Sequence, residues 1–208
     1  ADETLVTEVP DNGFKTLWKR TCGPGFAGPV VSDGKVILFH RSGDENTLEA
    51  MEALTGKVLW KTAWPATYRD DFGFDEGPRS CPTIDGDSVF CYGADGTLAA
   101  VAQRDWKMIW KRYLAGELQS AKGFFGRSCA PLVTGSLVLL APGGEGAGVA
   151  AFDRKTGSLK WKALETEAGY ASPILLSPPQ GPRAVFFTRE GVAGVVPETG
   201  KAVFEEPF

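Results

Sequence analysis

The sequence predicts an all-β fold, a β-propeller built of four-stranded antiparallel blades. Four segments that end in an aromatic residue align without gaps, with the final aromatics at Trp60, Trp110, Trp161 and Phe204. Each segment is preceded by a proline that follows two small residues, and an apolar pair, a turn and an apolar run recur between these landmarks. A repeated four-strand unit of about 40–50 residues is typical of a propeller blade.

Each repeat accounts for its four strands in order. The first strand follows a proline, namely Pro29, Pro82, Pro131 or Pro173. A hairpin leads to the second strand, and Asp33-Gly34 and Asp85-Gly86 favour its tight turn. A small and an aliphatic residue two positions apart mark the third strand, because alternation places them on one face. The fourth strand ends in the aromatic, which we expect to pack between adjacent blades. No segment has helical periodicity.

The segment before the first proline contains one more strand pattern. FKTLWKR, around Trp18, repeats the last-strand pattern around Trp60. We therefore predict a single propeller domain, 1–208, with an outer strand followed by four blades at approximately 20–62, 63–112, 113–163 and 164–208. The surplus strand predicts half of an eight-bladed ring, either a truncated piece or a protomer of a homodimer whose second copy completes the ring. A small closed ring is the alternative. A half ring would expose apolar blade faces at both ends.

Composition and charge exclude several classes of protein. The 208 residues carry 22 basic and 26 acidic side chains, a formal net charge of −4, so no nucleic-acid partner is expected. No apolar stretch approaches the roughly 18 residues of a membrane-spanning helix, so no membrane span is expected. Four cysteines without CxxC spacing and a single histidine exclude a structural zinc site. The opening ADETL lacks signal-peptide features but suits a chain whose leader has been removed.

Residues 151–161, AFDRKTGSLKW, match the AxDxxTGxxxW tryptophan-docking motif of PQQ-like (quinoprotein alcohol dehydrogenase-like) propeller repeats, and the chain resembles that family. The first repeat keeps the motif with Glu52 in place of the aspartate. The second has Asp105-Trp106 in place of Thr-Gly, and the fourth ends in Phe204 in place of tryptophan. YASPILL and GPRSCP resemble segments of uncharacterised exported bacterial members, which implies a periplasmic or secreted protein.

The resemblance implies a fold and leaves two functional classes open. Family members that are quinone enzymes use calcium, a catalytic aspartate and a disulfide between adjacent cysteines, whereas no two cysteines are adjacent here. Other members are scaffolds without a cofactor, including the propeller lipoprotein of bacterial outer-membrane assembly. We therefore expect a noncatalytic binding or scaffold propeller with no cofactor, which recognises a protein, a peptide or a small polar ligand. The alternative is a PQQ- and calcium-dependent quinoprotein dehydrogenase, or a fragment of one, with Asp70, Asp71 or Asp75 as the available acids.

Two enlarged connectors between blades are the candidate binding site. Trp60 and Pro82 are 22 residues apart and Trp110 and Pro131 are 21, whereas the other aromatic-to-proline spacings are 11 and 12. Connectors of a propeller emerge on one face, and loops carry function more often than core strands. Loops 61–79 and 111–127 mix aromatic residues with charges of both signs, which suits recognition of a polar ligand or peptide. The candidate ligand-binding residues are Tyr68, Arg69, Asp70, Asp71, Asp75, Glu76, Arg79, Phe125 and Arg127.

The same residues have two alternative interpretations. A long loop needs its own aromatic cluster and a solvated charged surface to be ordered, which would make these side chains structural. Asp70, Asp71, Asp75 and Glu76 could instead ligate calcium, a cation that takes several oxygen ligands. The spacing of these acids is not that of a regular calcium loop.

The cysteines and the histidine suggest no catalytic group. Cys81 and Cys129 occupy small-residue positions of innermost strands, where a cysteine acts as a small apolar side chain. Counting from the Asp85-Gly86 turn pairs Cys81 with Phe90, which places the sulfurs of Cys81 and Cys91 on opposite faces and disfavours a disulfide. His40 ends a strand, with a surface or capping role expected.

Overall fold

The computed structural model of the protein describes residues 8–208, and the expectation for the opening ADETL lies outside them. The described residues form four separate sheets, each with four antiparallel strands in sequence order. The predicted all-β propeller architecture is confirmed. A helix of four residues, α1 (Leu114–Glu117), lies in the second connector, where no helix was predicted. Within residues 8–208, no helix has the length and hydropathy needed to cross a bilayer.

The strands follow the predicted repeats. Blade 1 contains β1 (Val30–Ser32), β2 (Lys35–Ser42), β3 (Glu45–Glu52) and β4 (Val58–Pro65). Blade 2 contains β5 (Thr83–Asp85), β6 (Ser88–Tyr92), β7 (Thr97–Ala102) and β8 (Met108–Tyr113). Blade 3 contains β9 (Leu132–Thr134), β10 (Leu137–Leu140), β11 (Val149–Asp153) and β12 (Leu159–Ala163). Blade 4 contains β13 (Ile174–Leu176), β14 (Arg183–Phe187), β15 (Gly191–Val195) and β16 (Ala202–Pro207).

The core lies between successive blades rather than inside any one of them. Phe39 of blade 1 packs in one buried cluster with Val89 of blade 2. Phe90 of blade 2, Leu139 of blade 3 and Phe186 of blade 4 belong to a second buried cluster. Alternate side chains of a strand point to opposite faces. Val89 therefore packs at the interface with blade 1, and its neighbour Phe90 packs at the interface with blade 3. Each middle blade is thus apolar on both faces.

The terminal aromatic of one blade docks on the turn between the third and fourth strands of the next. The indole N–H of Trp110 donates to the Arg154 carbonyl at 2.9 Å, and Gly157 has a φ of 72° with the Trp110 ring against it. A Cβ atom at Gly157 would lie 2.7 Å from that ring, so only glycine allows this approach. The indole of Trp161 makes the same bond to Pro197, also at 2.9 Å.

The second repeat departs from this docking arrangement because Trp106 replaces the glycine of the motif. Trp106 takes a positive φ of 57°, and its ring stacks on that of Trp60. The side chain of Trp106 therefore occupies the space that the glycine leaves open in the other repeats. The buried indole nitrogen of Trp60 has no hydrogen-bond partner among the described residues.

The N-terminal outer strand predicted around Trp18 is not formed. Residues 8–29 contain no strand, although Trp18 occupies the docking position of blade 1, donating to the Ala53 carbonyl at 2.9 Å. All four strand positions of blade 1 are already filled by β1 to β4. A segment with no neighbouring strand cannot form a ladder, so the aromatic docks while the backbone remains irregular.

The two ends of the row of blades differ. Phe204 lies against Gly194 of its own blade, and Trp18 occupies the position on Gly56 that a ring-closing aromatic would need. Ile174, Leu176 and Phe187 of blade 4 lie on the face opposite the buried Phe186, and all three are exposed. Blade 4 therefore presents an uncovered apolar face, and the described residues form no ring closed by Phe204 docking on Gly56.

The first hairpin of blade 2 has a different register from the one predicted. Phe90 pairs with Thr83 and not with Cys81. The shift of two residues preserves the faces, since side chains alternate with a period of two. Cys81 and Cys91 therefore remain on opposite faces, and all four cysteines are free thiols.

Candidate functional site

The connectors between blades emerge on one side of the molecule, together with the turns between the second and third strands. This side is termed the connector face here. The connectors are residues 66–82, 114–131 and 164–173. The predicted binding loops 61–79 and 111–127 begin inside strands β4 and β8 and continue into the first two connectors. Both predicted loops therefore lie largely on the connector face.

Tyr68 and Asp70 organise the first connector from within. Tyr68 is only 4% exposed, and its hydroxyl donates to Asp70 at 3.1 Å. The carboxylate of Asp70 also accepts the main-chain N–H groups of Phe72 at 3.0 Å and Phe74 at 2.8 Å. These bonds hold the turn 70–74 in place and leave the two phenylalanine side chains pointing outward.

The ionisation of both groups follows from these surroundings. Burial raises the pKa of Tyr68 to about 12, so the phenol remains a hydrogen-bond donor at neutral pH. The amide of Phe74 lowers the pKa of Asp70, with a further contribution from the amide of Phe72. Asp70 is therefore a carboxylate whose charge stabilises the hydrogen-bonded conformation of the loop.

Arg79 completes the interior of the same connector. Its guanidinium lies 4.9 Å from the centroid of the Tyr68 ring and 5.5 Å from that of Phe26. It donates to the carbonyls of Asp75 at 2.6 Å and Gly77 at 2.5 Å. Cation–π stacking and main-chain hydrogen bonds together close the loop around this side chain. Arg79 is thus mostly buried and is not presented to solvent.

A second set of ion pairs ties the connector to blade 1. Arg69 contacts Asp44 at 2.8 Å and Glu76 at 3.3 Å. The buried Arg41 donates to the Tyr68 carbonyl at 2.7 Å and also contacts Asp44 at 3.1 Å. The hydrogen bonds from Arg69 and then Arg41 lower the pKa of Asp44. Asp44 lies in the turn between β2 and β3, so these pairs fix the connector against that turn.

Two further candidates are also structural. Asp75 accepts the main-chain N–H groups of Gly25 at 3.1 Å and Gly77 at 2.6 Å. Arg127 is 3% exposed and donates to the carbonyl and hydroxyl of Ser120 within its own connector. Asp75 therefore joins its connector to the N-terminal segment, and Arg127 stabilises the connector in which it lies.

The predicted site residues therefore divide into two groups. Those buried in or between the connectors are Tyr68, Asp70, Asp75, Arg79 and Arg127. Those at the surface are Arg69, Asp71 and Phe125, with Glu76 half-buried. Asp71 pairs with Lys122 of the second connector at 2.5 Å. The charges that sequence composition singled out thus serve mainly to order the connectors.

The acids of the first connector do not fit a calcium site. Both oxygens of Asp70 accept hydrogen bonds from the loop, and those of Asp75 accept one from Gly77 of the loop and one from Gly25 of the N-terminal segment. Asp71 pairs with Lys122, and Glu76 pairs with an arginine. Calcium requires six or more oxygens turned towards a common centre. Among residues 8–208, no three histidine, cysteine or acidic side chains are grouped to hold a metal ion.

The most distinctive feature of the connector face is a cluster of exposed aromatic rings. This aromatic platform consists of Phe72, Phe74, Phe124, Phe125 and Tyr170, which are 39–67% exposed. Phe72 and Phe124 are stacked with centroids 4.0 Å apart, and Phe125 packs edge-on against Phe124 at 4.6 Å. Phe74 and Tyr170 extend the cluster at 6.1 and 6.0 Å from Phe125. The rings contact each other and remain open to solvent.

Tyr170 was missed by the sequence analysis. It belongs to the short third connector, and its hydroxyl accepts the main-chain N–H groups of Phe124 at 3.1 Å and Phe125 at 3.3 Å. These bonds hold the tips of the second and third connectors together, so all three connectors contribute to the platform. An aromatic residue in every connector was a usable signal, but connector length directed attention to the first two.

A groove of about 730 Å³ opens beside the aromatic platform. Phe72 and Phe124 of the platform form part of its wall. Its acidic lining residues are Asp71, Glu145, Glu165, Glu167 and Glu190. This acidic groove runs between the second and third connectors and the turns of blades 3 and 4. A smaller groove of about 260 Å³ shares Glu165 and Glu190 with it.

Two adjacent glycines line the acidic groove. Gly143 has a φ of 64°, and a side chain there would collide with the backbone of Ala168. A side chain at Gly144 would collide with the carbonyl of Leu118. The turn between β10 and β11 can therefore pack between the second and third connectors only because both positions lack a Cβ atom. The acidic side chain of Glu145 follows directly and is exposed at the rim.

Comparison with protein families places the repeats in a known group. The family described as outer membrane protein assembly factor BamB matches residues 2–163 and, in a second match, residues 107–208. Together these matches cover almost the whole chain.

Three similar proteins illustrate the range of that group. The dehydrogenase subunit of the quinone alcohol dehydrogenase of Acetobacter aceti is 31% identical over 148 residues, which is 65% of this chain and 19% of that protein. The outer membrane protein assembly factor BamB of Bordetella pertussis is 29% identical over 163 residues, 75% of this chain and 38% of that protein.

The crystal structure of BamB from Moraxella catarrhalis superposes with a TM-score of 0.62 at 20% identity, over 91% of this chain and 51% of that one. At this identity the superposition shows the fold alone. The chain spans a fifth to a half of the length of these three proteins.

Proposed function

The chain belongs to the family of outer membrane protein assembly factor BamB, built of PQQ-like repeats, and we propose that it is a noncatalytic binding propeller. Its connector face takes up a protein or peptide partner on the aromatic platform. The relatives that carry the name of an assembly factor support a scaffold role.

The exposed aromatic platform is the observation that carries the proposal. Five aromatic side chains from three connectors form one contiguous surface, with Phe74 67% exposed. Leaving such rings in water costs free energy unless a partner covers them, and large exposed apolar patches mark interaction sites. Aromatic side chains are enriched at the cores of protein interfaces, where a few buried anchor residues carry most of the binding energy. The hydrogen bonds from Phe124 and Phe125 to Tyr170 pre-organise the surface for binding.

The dehydrogenase alternative has less support in the site. The relative from Acetobacter aceti is a quinone alcohol dehydrogenase subunit. The acids of the first connector, however, are engaged by N–H groups and cations, and the four cysteines are not adjacent in sequence. The donor set therefore does not fit a calcium-bound quinone, and we propose no redox step for this chain. The relatives named for outer-membrane assembly also support our proposal that the protein acts in the periplasm or is secreted.

Site-specific photo-crosslinking tests the proposal. A benzoylphenylalanine residue replaces Phe124 in one variant and Phe125 in another, and the cells that express each are irradiated. The matched control carries the same residue in place of Phe14, which is 66% exposed but lies on the N-terminal segment. We expect a discrete protein adduct from both platform positions and none from the control, with the partner identified by mass spectrometry.

Two outcomes would contradict the proposal. The absence of adducts from either platform position would show that the aromatic rings are not a contact surface in the cell. Equal adducts from Phe14 and from the platform would show non-specific proximity. Alanine replacement of Phe72 in the Phe124 crosslinking variant should weaken a genuine adduct, since the two rings are stacked 4.0 Å apart.

A further inference from the structure

We propose that the segment bound by the aromatic platform is cationic, an extended stretch of a protein partner that carries lysine or arginine side chains into the acidic groove. This inference rests on the proposed function, because it assigns a chemistry to the partner of the same surface. The platform would hold an apolar part of the segment, and the groove would hold its positive charges.

Charge complementarity is the argument for a cationic partner. The groove is lined by five carboxylates and one guanidinium, that of Arg189. Arg189 pairs with Glu167 at 2.7 Å and Lys122 pairs with Asp71 at 2.5 Å, which leaves three of the five carboxylates without an ion pair within residues 8–208. Within the described part of the chain, Glu145, Glu165 and Glu190 make no ion pair with a lysine or arginine. All three are exposed, and their charges concentrate a negative potential in a concave surface.

The cations nearest to the groove are already committed to other groups. Lys122 pairs with Asp71 at the boundary between groove and platform. Lys162 borders the groove, and its ammonium group donates to the main-chain carbonyl of Glu145 at 2.9 Å. Neither lies against the carboxylates of Glu165 or Glu190 as an ion pair. A partner would therefore meet cations that are already bonded and three carboxylates without an ion pair among the described residues, of which that of Glu165 accepts the main-chain N–H of Gly146 at 3.1 Å.

The groove and the platform form one continuous surface. Phe72 and Phe124 belong to the platform and also line the groove, so an apolar anchor and a cationic side chain a few residues apart can bind together. The exposed ring faces add a second attraction, because arginine and lysine side chains stack favourably over aromatic rings. An anionic segment would meet repulsion from the same carboxylates.

Short synthetic peptides of matched composition test the inference. Three peptides share the same tryptophan and phenylalanine positions and differ only in their other residues, which are lysine, glutamine or glutamate. Each is titrated against the intact protein at low and at physiological salt, with peptide fluorescence anisotropy as the readout. We expect the lysine peptide to bind at least tenfold more tightly than the glutamate peptide at low salt, with the difference shrinking as salt screens the charges.

Matched variants locate the charges responsible. The groove variant combines Glu145→Gln, Glu165→Gln and Glu190→Gln. The control combines Glu8→Gln, Asp11→Asn and Glu198→Gln, three exposed acids remote from the groove that change the net charge by the same amount. We expect the groove variant to lose about five- to tenfold in affinity for the lysine peptide. The control should keep the affinity of the unmodified protein within about twofold.

The outcomes separate this inference from the proposed function. Equal binding of all three peptides, with loss of binding in a Phe72→Ala/Phe124→Ala variant, would overturn the cationic partner and leave the aromatic platform as a binding surface. Equal weakening of the lysine peptide by the groove and control variants would also overturn the inference, since it would report only net charge. Absence of binding by any of the peptides would overturn both proposals.

Discussion

The indole of Trp18 lies on Gly56, in the position where each later blade receives the terminal aromatic of the blade before it. A Cβ atom at Gly56 would come within 2.6 Å of the ring, and the indole N–H donates to the Ala53 carbonyl three residues earlier in the turn. The same geometry recurs between Trp110 and Gly157. The repeat motif therefore encodes a contact between blades, in which the glycine of one blade accommodates the tryptophan of another.

Replacement of Gly157 by alanine tests this contact. The left-handed backbone conformation at Gly157 destabilises the folded state by about 1–2 kcal/mol when the residue carries a Cβ atom. The indole of Trp110 must also move to make room for that atom. We expect the free energy of unfolding to fall by about 2–4 kcal/mol in urea denaturation. Gly135→Ala is the control, because Gly135 has a φ of 55° with nothing within 4 Å of the added atom. Equal losses in both variants would mean that the contact with Trp110 contributes nothing.

Much of the fold was predictable from sequence because the residues that form the docking contact recur once in each repeat. The Thr-Gly turn and its terminal aromatic fix the fourth strand of each blade and its neighbour, whether or not the intervening residues vary. The strand around Trp18 was predicted wrongly for the same reason. The motif predicts only that the aromatic docks. A strand also needs a neighbouring strand for its backbone hydrogen bonds, and the motif does not indicate whether that neighbour is present.

The sequence predicted the location of the candidate site but not the roles of its individual side chains. Connector length indicated the correct face, and composition indicated aromatic and charged residues. Composition could not distinguish Arg79, whose charge is stacked on Tyr68, from Arg69, which is at the surface. That distinction depends on the path of the loop, which is set by hydrogen bonds to main-chain groups. Tyr170 joins the platform through such bonds from a connector that is distant in sequence.

Alanine replacement of the buried arginines should reduce stability. Removal of Arg127, which is 3% exposed, leaves the buried Ser120 carbonyl without its donor, and removal of Arg79 leaves two carbonyls without theirs. We expect each variant to lose about 1–3 kcal/mol of unfolding free energy. Arg69→Ala should lose less than about 0.5 kcal/mol, because its ion pairs are exposed. Thermal and urea denaturation of the three variants provide the measurement. A loss for Arg69→Ala as large as that for Arg79→Ala would contradict the assignment of Arg79 to the loop interior.

The buried thiol of Cys129 should make stability sensitive to alkaline pH. Burial raises the pKa of Cys129 to about 12 from an ordinary value of 9.0. The folded state therefore retains a proton that the unfolded state loses above pH 9, so stability is full below that pH and falls as pH rises towards 12. Cys129→Ala removes this contribution. We expect the difference in unfolding free energy between the unmodified protein and this variant to narrow by about 1 kcal/mol or more between pH 8 and pH 10.5.

The exposed Cys22 provides the comparison for that measurement. Cys22→Ala should follow the pH dependence of the unmodified protein, since this exposed substitution leaves the buried Cys129 in place. The pH series is read by urea denaturation in the presence of a reductant. A constant difference between the protein and Cys129→Ala across the series would contradict burial of the thiol.

Titration with PQQ and calcium should leave the melting temperature unchanged. A ligand that binds only the folded state raises it by mass action. Asp70 and Asp75 already accept hydrogen bonds on both carboxylate oxygens, so calcium would have to displace bonds that hold the first connector together. Differential scanning fluorimetry with and without both ligands measures the shift. Saturable stabilisation by PQQ and calcium together would restore the dehydrogenase alternative.

The uncovered face of blade 4 should make the isolated chain self-associate. Phe187 and Ile174 are each 55% exposed on this face, whereas the docking position of blade 1 is occupied by Trp18. A second copy that completed the ring would have to displace Trp18, so contact between two blade 4 faces is favoured. We expect the sedimentation coefficient to rise with concentration for the protein and for Leu54→Lys, an exposed position in a turn of blade 1. Phe187→Lys with Ile174→Lys should remain monomeric, because burial of two ammonium groups in that contact is unfavourable. Strictly monomeric behaviour of the unmodified protein at high concentration would contradict this association.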